Sequence, residues 1–365
     1  MTLFKYLIIG GGMTADSAAR GIRQVDPDGS IALLSNEPHP PYNRPPLSKG
    51  LWKGKPVEQI WRQTEKRYKA TLFLDTWALS INPDQKSVTT SSKTVFSYEK
   101  LLIATGGSPR QLPCQDNRVI YLKTYSDYLN LKTRIDQNDD VVVIGAGFTG
   151  MEISAALTQH GKRVSLVFPA EHIGHRAFPA DLAHYVTQYY LQKGVTLMPS
   201  TQVVDILPHG EKSIILTRNG QKIETSTVVA AIGNEPNTTL AETAHLKIDN
   251  GIVVDEYLRT SHVDIYAAGD IANFYNPALN QRLRAEHEDN SNAQGKLAGR
   301  NMAGESEPYT YLPFFYSDIF DLGYEAIGDT NPALDTVFDW VVPYQKGVIY
   351  YLRQQRVCGI LLWNM

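Results

Sequence analysis

The sequence predicts an α/β fold with two Rossmann-type dinucleotide-binding domains, each a three-layer ββα arrangement, and a smaller C-terminal α/β domain with an antiparallel sheet. Three observations lead to this prediction. An apolar strand, a glycine turn and a helical pattern follow one another at Leu7–Ala15, and the same succession recurs at Val141–Gly150. From Tyr309 onward, the chain changes to short, aromatic-rich runs that are typical of antiparallel strands.

The first glycine turn has the spacing Gly10-x-Gly12-x-x-Ala15, with Met13 and Thr14 inside it. Gly10 permits the tight turn, and Gly12 lacks a Cβ, so that a pyrophosphate can approach the backbone. Ala15 is small enough for the following helix to pack on the strand. The sequence predicts this helix over residues 13–25, and its free N–H groups would bind the phosphates of a dinucleotide.

The second glycine turn carries all three glycines, Gly145, Gly147 and Gly150, with Phe148 and Thr149 between the last two. A single glycine turn after a strand is a weak signal, but two copies in one chain indicate two bound dinucleotides. If the two dinucleotides face each other, the expected chemistry is electron transfer between them.

Composition excludes several other classes of protein. The 365 residues have a formal net charge of −3, which leaves no basic excess to neutralise the phosphates of a nucleic acid. No apolar run reaches the length of a membrane span, and no signal peptide is apparent. The two cysteines, Cys114 and Cys358, lie far apart and form no CxxC pair, so that we expect a cytoplasmic protein. The nine histidines show no spacing typical of metal ligands, and we expect no metal site.

Further candidates for cofactor binding follow predicted strands. Asn36 and Glu37 come after the strand at residues 30–35, where the dinucleotide fingerprint expects an acidic residue for the ribose. A proline-rich arm then follows, either as a rigid surface loop or as a support that places Arg44 and Lys49 against a cofactor.

Other strands end in glycine or in polar residues. One such strand ends in Ala104-Thr105-Gly106, and another ends at Gly233. A third ends in Gly269-Asp270, after which the sequence predicts a helix. Asp270 could cap that helix, hold a sugar hydroxyl, or do both. The C-terminal sheet is predicted from strands at residues 336–342, 348–353 and 356–362, with a turn at 354–355.

Four motifs stand in the order found in flavoprotein reductases with two dinucleotides: GGGMTA, IATGG, GAGFTG and IYAAGD. In this respect the chain resembles the glutathione-reductase-like superfamily. The segments PPYNRPPLSKGLW, RAEHEDNSNAQGKLAGRNMAG and YSDIFDLGYEAIGD resemble its ferredoxin-reductase and apoptosis-inducing-factor branch, and apoptosis-inducing factors with their bacterial relatives are the most similar. Plant monodehydroascorbate reductases share the segment LVFPAEHIGHRAF.

The resemblance implies FAD and NAD(P)H as cofactors and assigns residues to the flavin. Arg44 and Lys49 would contact FAD, with Lys49 near the flavin N5 and paired to Glu152. Asp270 would bind the ribityl chain. Glu286 and His287 would begin a helix whose N-terminus points at the flavin.

The resemblance also assigns two aromatic residues. Phe148 would lie beside the nicotinamide. Tyr316 stands where the family often has tryptophan, close to the mouth of the active site.

The chain departs from the family pattern at both ribose sites. Asn36 stands where relatives carry the acid that binds the first ribose, so that Glu37 or a backbone group must serve. At the second ribose strand, Glu171 comes one residue late and no arginine lies on the turn, which favours NADH but leaves NADPH open. The chain ends at Met365, where relatives add a helix, so that the C-terminal domain is either trimmed or smaller.

The expected domains are an FAD-binding domain at residues 1–112 and 234–304, an NAD(P)H-binding domain at 113–233 and a C-terminal domain at 305–365. The expected activity is that of an FAD-dependent NAD(P)H oxidoreductase with an iron–sulfur protein, a quinone or oxygen as acceptor. Two alternatives stay open. One is a redox sensor with a long-lived reduced flavin that signals as a homodimer, and the other is a monodehydroascorbate-reductase-like enzyme.

Overall fold

The computed structural model describes residues 2–365, which form two compact units. The first unit consists of the residues up to Arg44, of Val57–Ser108 and of Glu235–Phe314. The second unit consists of Pro45–Pro56, Pro109–Asn234 and Phe315–Met365. The domain boundaries expected from the sequence, including one near residue 305, stay predictions.

The α-helices in chain order are α1 Met13–Val25, α2 Thr64–Tyr68, α3 Tyr125–Gln137, α4 Phe148–Gln159, α5 Ala180–Gln192, α6 Thr239–Thr243 and α7 Glu288–Met302. Short 3₁₀ helices occur at Pro45–Leu47, Gly50–Lys53, Val57–Ile60 and Gly269–Ile271. Among residues 2–365, none of the helices has both the length and the apolar character that crossing a membrane requires.

The first strands are β1 Thr2–Ile9, β2 Ile31–Leu34, β3 Ala70–Phe73, β4 Ala78–Asn82, β5 Ser87–Thr90, β6 Val95–Ile103, β7 Gly107–Pro109, β8 Ile120–Tyr121, β9 Asp140–Ile144, β10 Arg163–Val167, β11 Thr196–Met198, β12 Val203–His209 and β13 Lys212–Thr217. The remaining strands are β14 Lys222–Thr225, β15 Thr227–Ala230, β16 Asn234–Pro236, β17 Ile252–Val253, β18 Ile265–Ala267, β19 Ala272–Asn276, β20 Gln281–Leu283, β21 Phe314–Ile319, β22 Leu322–Gly328, β23 Asp335–Val342, β24 Lys346–Arg353 and β25 Arg356–Trp363.

The main sheet of the first unit has the strand order β3-β2-β1-β6-β5-β4, and β18 also pairs with β6. Strands β3, β2, β1, β6 and β18 run parallel, with Ile9 opposite both Leu34 and Ile103, and with Ala267 opposite Ile103. The carboxyl ends of β1, β2, β6 and β18 therefore meet at one edge of the sheet. This register brings the residues after each of these strands together, at the sheet edge where ligands of parallel α/β sheets bind.

Helices α1 and α7 of the first unit pack backbone to backbone. A Cβ atom added at Gly295 would lie 2.3 Å from the carbonyl oxygen of Thr14, and one added at Gly299 would lie 2.1 Å from that of Ala18. No side chain larger than hydrogen fits at these two glycines without displacing α1. Because Thr14 lies in the first turn of α1, this contact holds α7 beside the start of α1.

The second unit contains a parallel sheet in the order β11-β10-β9-β15-β8. Ile144 lies opposite Val167 and Ala230, so that β9, β10 and β15 also end at one edge. A separate sheet of this unit has the order β21-β22-β25-β24-β23, with antiparallel pairs from β22 to β23. The three C-terminal strands expected from the sequence are confirmed, and Gln354 and Gln355 form the expected turn with positive φ angles.

One expectation from the sequence is wrong. The segment after Asp270 was expected to be a helix, but only the single turn Gly269–Ile271 is helical, and β19 follows directly. The reason is sheet pairing, because β19 lies between β17 and β20. Asp270 therefore does not cap an α-helix.

A buried carboxylate anchors the segment that leads into the second glycine turn. Asp116 is 2% exposed and accepts hydrogen bonds from Arg118 Nε at 2.9 Å, from Arg118 Nη2 at 2.8 Å and from the Ser213 hydroxyl at 2.6 Å. The hydrogen bonds from the Arg118 guanidinium, helped by Ser213 and opposed by burial, lower the pKa of Asp116 to about 2. A carboxyl with a depressed pKa in the folded protein stabilises the fold above its unfolded pKa of about 3.9.

We therefore predict that Asp116→Asn lowers the free energy of unfolding at neutral pH by about 2 kcal/mol. The difference from the parent protein should shrink as the pH falls from about 4 to about 2, where the parent also loses this contribution. Urea unfolding across that range measures it. Asp84→Asn, which changes an exposed turn carboxylate, is the control and should have little effect. A constant difference at all pH values would contradict the assignment.

Candidate functional site

The glycine turn after β1 leaves the start of α1 open to an anion. Gly10 has a φ angle of +135°, and a Cβ there would lie 2.3 Å from the carbonyl oxygen of Ala104. Gly12 precedes the first residue of α1, and no side chain caps the helix. A Cβ at Gly12 would have only Arg44 within 4 Å, at 3.9 Å from Nε. Helix N–H groups and a guanidinium thus lie where a pyrophosphate would bind.

The polar groups that follow β2 form a small network. The Tyr42 hydroxyl donates to the Glu37 carboxylate at 2.6 Å, and Arg44 forms an ion pair with the same carboxylate. Asn36 is exposed. The structure thus brings Glu37, rather than Asn36, to the arginine that was expected to contact FAD.

The residues after β6 and β18 are also fixed by hydrogen bonds. The Asn237 side chain donates to the carbonyl of Thr105 at 2.9 Å, and the Asn237 N–H donates to the carbonyl of Gly106 at 3.0 Å. The Ser291 hydroxyl donates to Asp270 Oδ1 at 3.0 Å, which orients this carboxylate. The network around Asp270 therefore includes a residue of α7.

Helix α7 begins where the sequence predicted it. His287 is the N-cap, and its Nδ1 accepts a hydrogen bond from the Asp289 N–H. Glu286 precedes it and forms an ion pair with Arg284. The side chain of Gln294 is fully buried, and its oxygen accepts from the Gly269 N–H at 2.8 Å. Sequence reasoning missed Gln294, because nothing local distinguishes one polar residue of a polar helix from another.

The residues of the first unit fit FAD. The Nε2 group of Gln294 is a buried donor with no hydrogen-bond partner among residues 2–365, and a buried donor in that condition is costly unless a ligand satisfies it. Gly12 leaves room for a pyrophosphate that a larger residue would fill. Cationic, hydroxyl and carboxylate groups at one sheet edge match the pyrophosphate and the sugar hydroxyls of a dinucleotide.

The second glycine turn has the same construction. Gly145 has a φ angle of +103°, and a Cβ there would lie 2.3 Å from the carbonyl oxygen of Ala231. A Cβ at Gly150 would lie 1.8 Å from the carbonyl oxygen of Gly145, whereas one at Gly147 would have no atom within 4 Å. Helix α4 begins at Phe148 without a side-chain cap. These residues fit a second dinucleotide, with its phosphates at the start of α4.

The remaining residues predicted at this site lie around the same sheet edge. Phe148 is 47% exposed, and its ring centroid lies 6.4 Å from that of Tyr324. Thr149 and Glu171 are exposed. The carbonyl of Gly233 accepts a hydrogen bond from the Arg110 N–H at 2.9 Å.

A buried polar cluster in the second unit joins three elements through Glu152. Lys49 Nζ lies 2.9 Å from Glu152 Oε1, so that the expected ion pair is present. The Ser317 hydroxyl donates to the same oxygen at 2.6 Å, and the Ser48 hydroxyl donates to Oε2 at 2.6 Å. Lys49 Nζ also lies 4.7 Å from the centre of the Tyr316 ring. We call Ser48, Lys49, Glu152, Tyr316 and Ser317 the Glu152 cluster.

Two tyrosines beside the Glu152 cluster stay protonated. Burial, together with the negative charge of Glu152, raises the pKa of Tyr190 and of Tyr324 well above the usual value. The Tyr190 hydroxyl donates to the carbonyl of Met151 at 2.9 Å. Both tyrosines are therefore neutral, and Lys49 is the partner of opposite charge for Glu152 in the cluster.

Comparisons with known proteins agree with this geometry. A family model described as pyridine nucleotide-disulphide oxidoreductase matches residues 4–295. A second model, described as apoptosis-inducing factor, mitochondrion-associated, C-terminal, matches residues 298–343. Together the two models cover most of the chain.

Individual relatives match nearly all of this chain over most of their own length. Apoptosis-inducing factor 1, mitochondrial, of Dictyostelium discoideum is 34% identical over 404 residues, covering 99% of this chain and 76% of that protein. Rubredoxin-NAD(+) reductase of Pseudomonas putida is 32% identical over 330 residues, covering 88% of this chain and 86% of that protein.

A solved structure has the same fold. The crystal structure of the covalent putidaredoxin reductase–putidaredoxin complex matches with a TM-score of 0.93 and 27% identity, covering 99% of this chain and 90% of that chain. These comparisons and the two glycine turns agree: the chain belongs to the pyridine nucleotide-disulphide oxidoreductase family and is an FAD-dependent NAD(P)H oxidoreductase.

Proposed function

We propose that the protein oxidises NADH and passes the electrons to an iron–sulfur protein of the ferredoxin or rubredoxin class. The observation that carries the proposal is the pair of open helix starts at Gly12 and Gly147, one for each dinucleotide. The sequence has no CxxC pair to accept electrons from a flavin. Relatives named for rubredoxin and putidaredoxin support an iron–sulfur acceptor.

In this proposal the chain binds and orients the two cofactors, and hydride transfer from nicotinamide to flavin is the chemistry that the bound cofactors supply. The Gly10 turn, Arg44 and Asp270 hold FAD, and the start of α7 stabilises negative charge on its ring. The Gly145 turn holds the nicotinamide dinucleotide, with Phe148 beside the nicotinamide. Lys49 acts on the flavin ring with its positive charge, and Glu152 holds Lys49.

The relative named apoptosis-inducing factor favours a second function, in which the reduced flavin is long-lived and signals through a homodimer. A quinone, oxygen or monodehydroascorbate as acceptor is a further outcome of the same test. We also infer a cytoplasmic location, since Cys114 and Cys358 are free thiols of the kind that a reducing compartment maintains. We also propose the three domains expected from the sequence: an FAD-binding domain at residues 1–112 and 234–304, an NAD(P)H-binding domain at 113–233 and a C-terminal domain at 305–365.

We predict NADH-dependent reduction of a ferredoxin or rubredoxin in steady state, with better catalytic efficiency for NADH than for NADPH. The preference rests on the absence of an arginine directly on the turn after β10, where a 2′-phosphate would need one. Assays with each acceptor and each nicotinamide decide the matter. A stable reduced flavin, no turnover and an NADH-dependent increase in mass would favour the sensor.

We predict that two glycine substitutions separate the two cofactors. Gly12→Val should abolish FAD binding, and Gly147→Val should weaken NADH binding while leaving the FAD spectrum unchanged. Both positions have room for a Cβ in the protein itself, so that each loss should reflect a blocked phosphate rather than misfolding. FAD content and NADH titration measure the two effects, with circular dichroism as the control for folding. Loss of both cofactors in Gly147→Val would mean that the two turns are wrongly assigned.

We predict that Lys49→Ala lowers the flavin reduction potential and slows hydride transfer, because a positive charge that stabilises the reduced ring is removed. FAD content should stay near normal. Glu152→Ala should also slow transfer, and the two effects should not add, since the residues share one contact. Stopped-flow reduction by NADH measures the rate of hydride transfer, and a redox titration of each variant measures its flavin reduction potential.

Lys193→Ala is the matched control, because Lys193 is also paired with a carboxylate, Asp321, and lies over aromatic rings in the same unit. It should leave both the rate and the potential unchanged. Additive rate losses, or an unchanged potential in Lys49→Ala, would show that the Lys49–Glu152 pair is only structural.

A further inference from the structure

The carboxylate of Glu152 is held at both oxygens by groups that are distant in sequence. Oε1 accepts from Lys49 and Ser317, and Oε2 accepts from Ser48. The two hydroxyl contacts are 2.6 Å long, which is the length typical of a hydroxyl that donates to an ionised carboxylate. A carboxylate has no proton to offer, so that both serines must be donors.

The cluster is largely removed from water. Ser317 is 1% exposed and Ser48 is 8% exposed. The side chains of Lys49 and Glu152 are 12% and 11% exposed. A buried ion pair is stable only when further hydrogen bonds satisfy its remaining lone pairs and protons. The two serine hydroxyls supply those hydrogen bonds to the carboxylate side of the pair.

The three donors come from two separate segments of the chain. Ser48 and Lys49 are adjacent and lie between the 3₁₀ helices Pro45–Leu47 and Gly50–Lys53, whereas Ser317 lies in β21. Glu152 itself lies in the second turn of α4. The carboxylate is therefore fixed in rotation as well as in position, because its two oxygens are tied to separate parts of the second unit.

We propose that Ser48 and Ser317 are positioning residues for the oxidoreductase reaction. They fix the plane of the Glu152 carboxylate, and this plane determines where Oε1 holds the ammonium group of Lys49. The inference rests on the role proposed above for Lys49, and it adds that this role requires two hydroxyl groups that do not themselves contact a cofactor.

The two serines differ in what their loss does. Without the Ser48 hydroxyl, Oε2 loses its donor and the carboxylate can rotate about its terminal bond. Without the Ser317 hydroxyl, Oε1 retains Lys49 as its one partner among residues 2–365, and the buried pair lacks one of its compensating hydrogen bonds. Both changes let Lys49 move from its site, so that both should act in the direction of Lys49→Ala, but more weakly.

The experiment uses the FAD-loaded protein and the variants Ser48→Ala and Ser317→Ala. We expect hydride transfer from NADH, measured by stopped flow, to slow by roughly three- to tenfold, which corresponds to the net loss of one typical hydrogen bond. The apparent Kd for NADH should change little. The flavin reduction potential, measured by dye-coupled titration with dithionite, should fall in both variants, and this readout does not depend on turnover.

Three controls separate positioning from a general structural effect. Ser213→Ala removes another buried serine that donates to a carboxylate at 2.6 Å in the same unit, and it should change neither the rate nor the potential. Ser48→Thr keeps a hydroxyl and should restore most of the hydride-transfer rate and most of the flavin reduction potential. In a Glu152→Ala background, neither serine substitution should have a further effect, because both act through that carboxylate.

The inference is overturned if either serine variant that folds matches the parent in both rate and potential. It is also overturned if the serine substitutions slow transfer further in the Glu152→Ala background. Should Ser317→Ala fail to fold, Ser48→Ala alone decides, since Ser48 lies on a loop. Failure of the proposed function is seen separately, as a parent protein that NADH does not reduce or that reduces no iron–sulfur acceptor, and the dithionite potentials still test the serines in that case.

Discussion

The backbone contact between α1 and α7 is the constraint on which the first unit depends. Gly295 and Gly299 let α7 touch the carbonyl groups of α1, and the two helices then begin at the same edge of the parallel sheet. From this position, Ser291 reaches Asp270, and Gln294 reaches the Gly269 N–H. The FAD site that we propose in this unit is therefore formed by helix packing, which holds its polar groups more rigidly than loops alone would.

Glu152 has the corresponding role in the second unit. An ionised carboxylate is costly to bury, and here three donors from two separate segments offset that cost. The same carboxylate then determines where the charge of Lys49 lies. If Lys49 acts on the flavin as we propose, both the stability of the cluster and electron transfer depend on this carboxylate and on its serine donors.

Local signals in the sequence were sufficient for the strands and helices around the glycine turns. The predicted helix over residues 13–25 is confirmed, because its start, its apolar period and its end are all coded by neighbouring residues. The segment after Asp270 was wrongly predicted, since its strand state depends on pairing with β17 and β20. The Lys49–Glu152 pair was predicted only through a family resemblance. Ser317 was not predicted, because it lies 165 residues from Glu152 and a lone serine carries no local signal.

We infer that the two glycine turns hold FAD and NADH for direct hydride transfer. This inference can be tested by an anaerobic titration of the purified, FAD-loaded protein with NADH. One equivalent of NADH should bleach the visible absorption of one equivalent of flavin, and Gly147→Val should shift the titration to higher NADH concentrations. A flavin that stays oxidised in the presence of excess NADH would show that the inference is wrong.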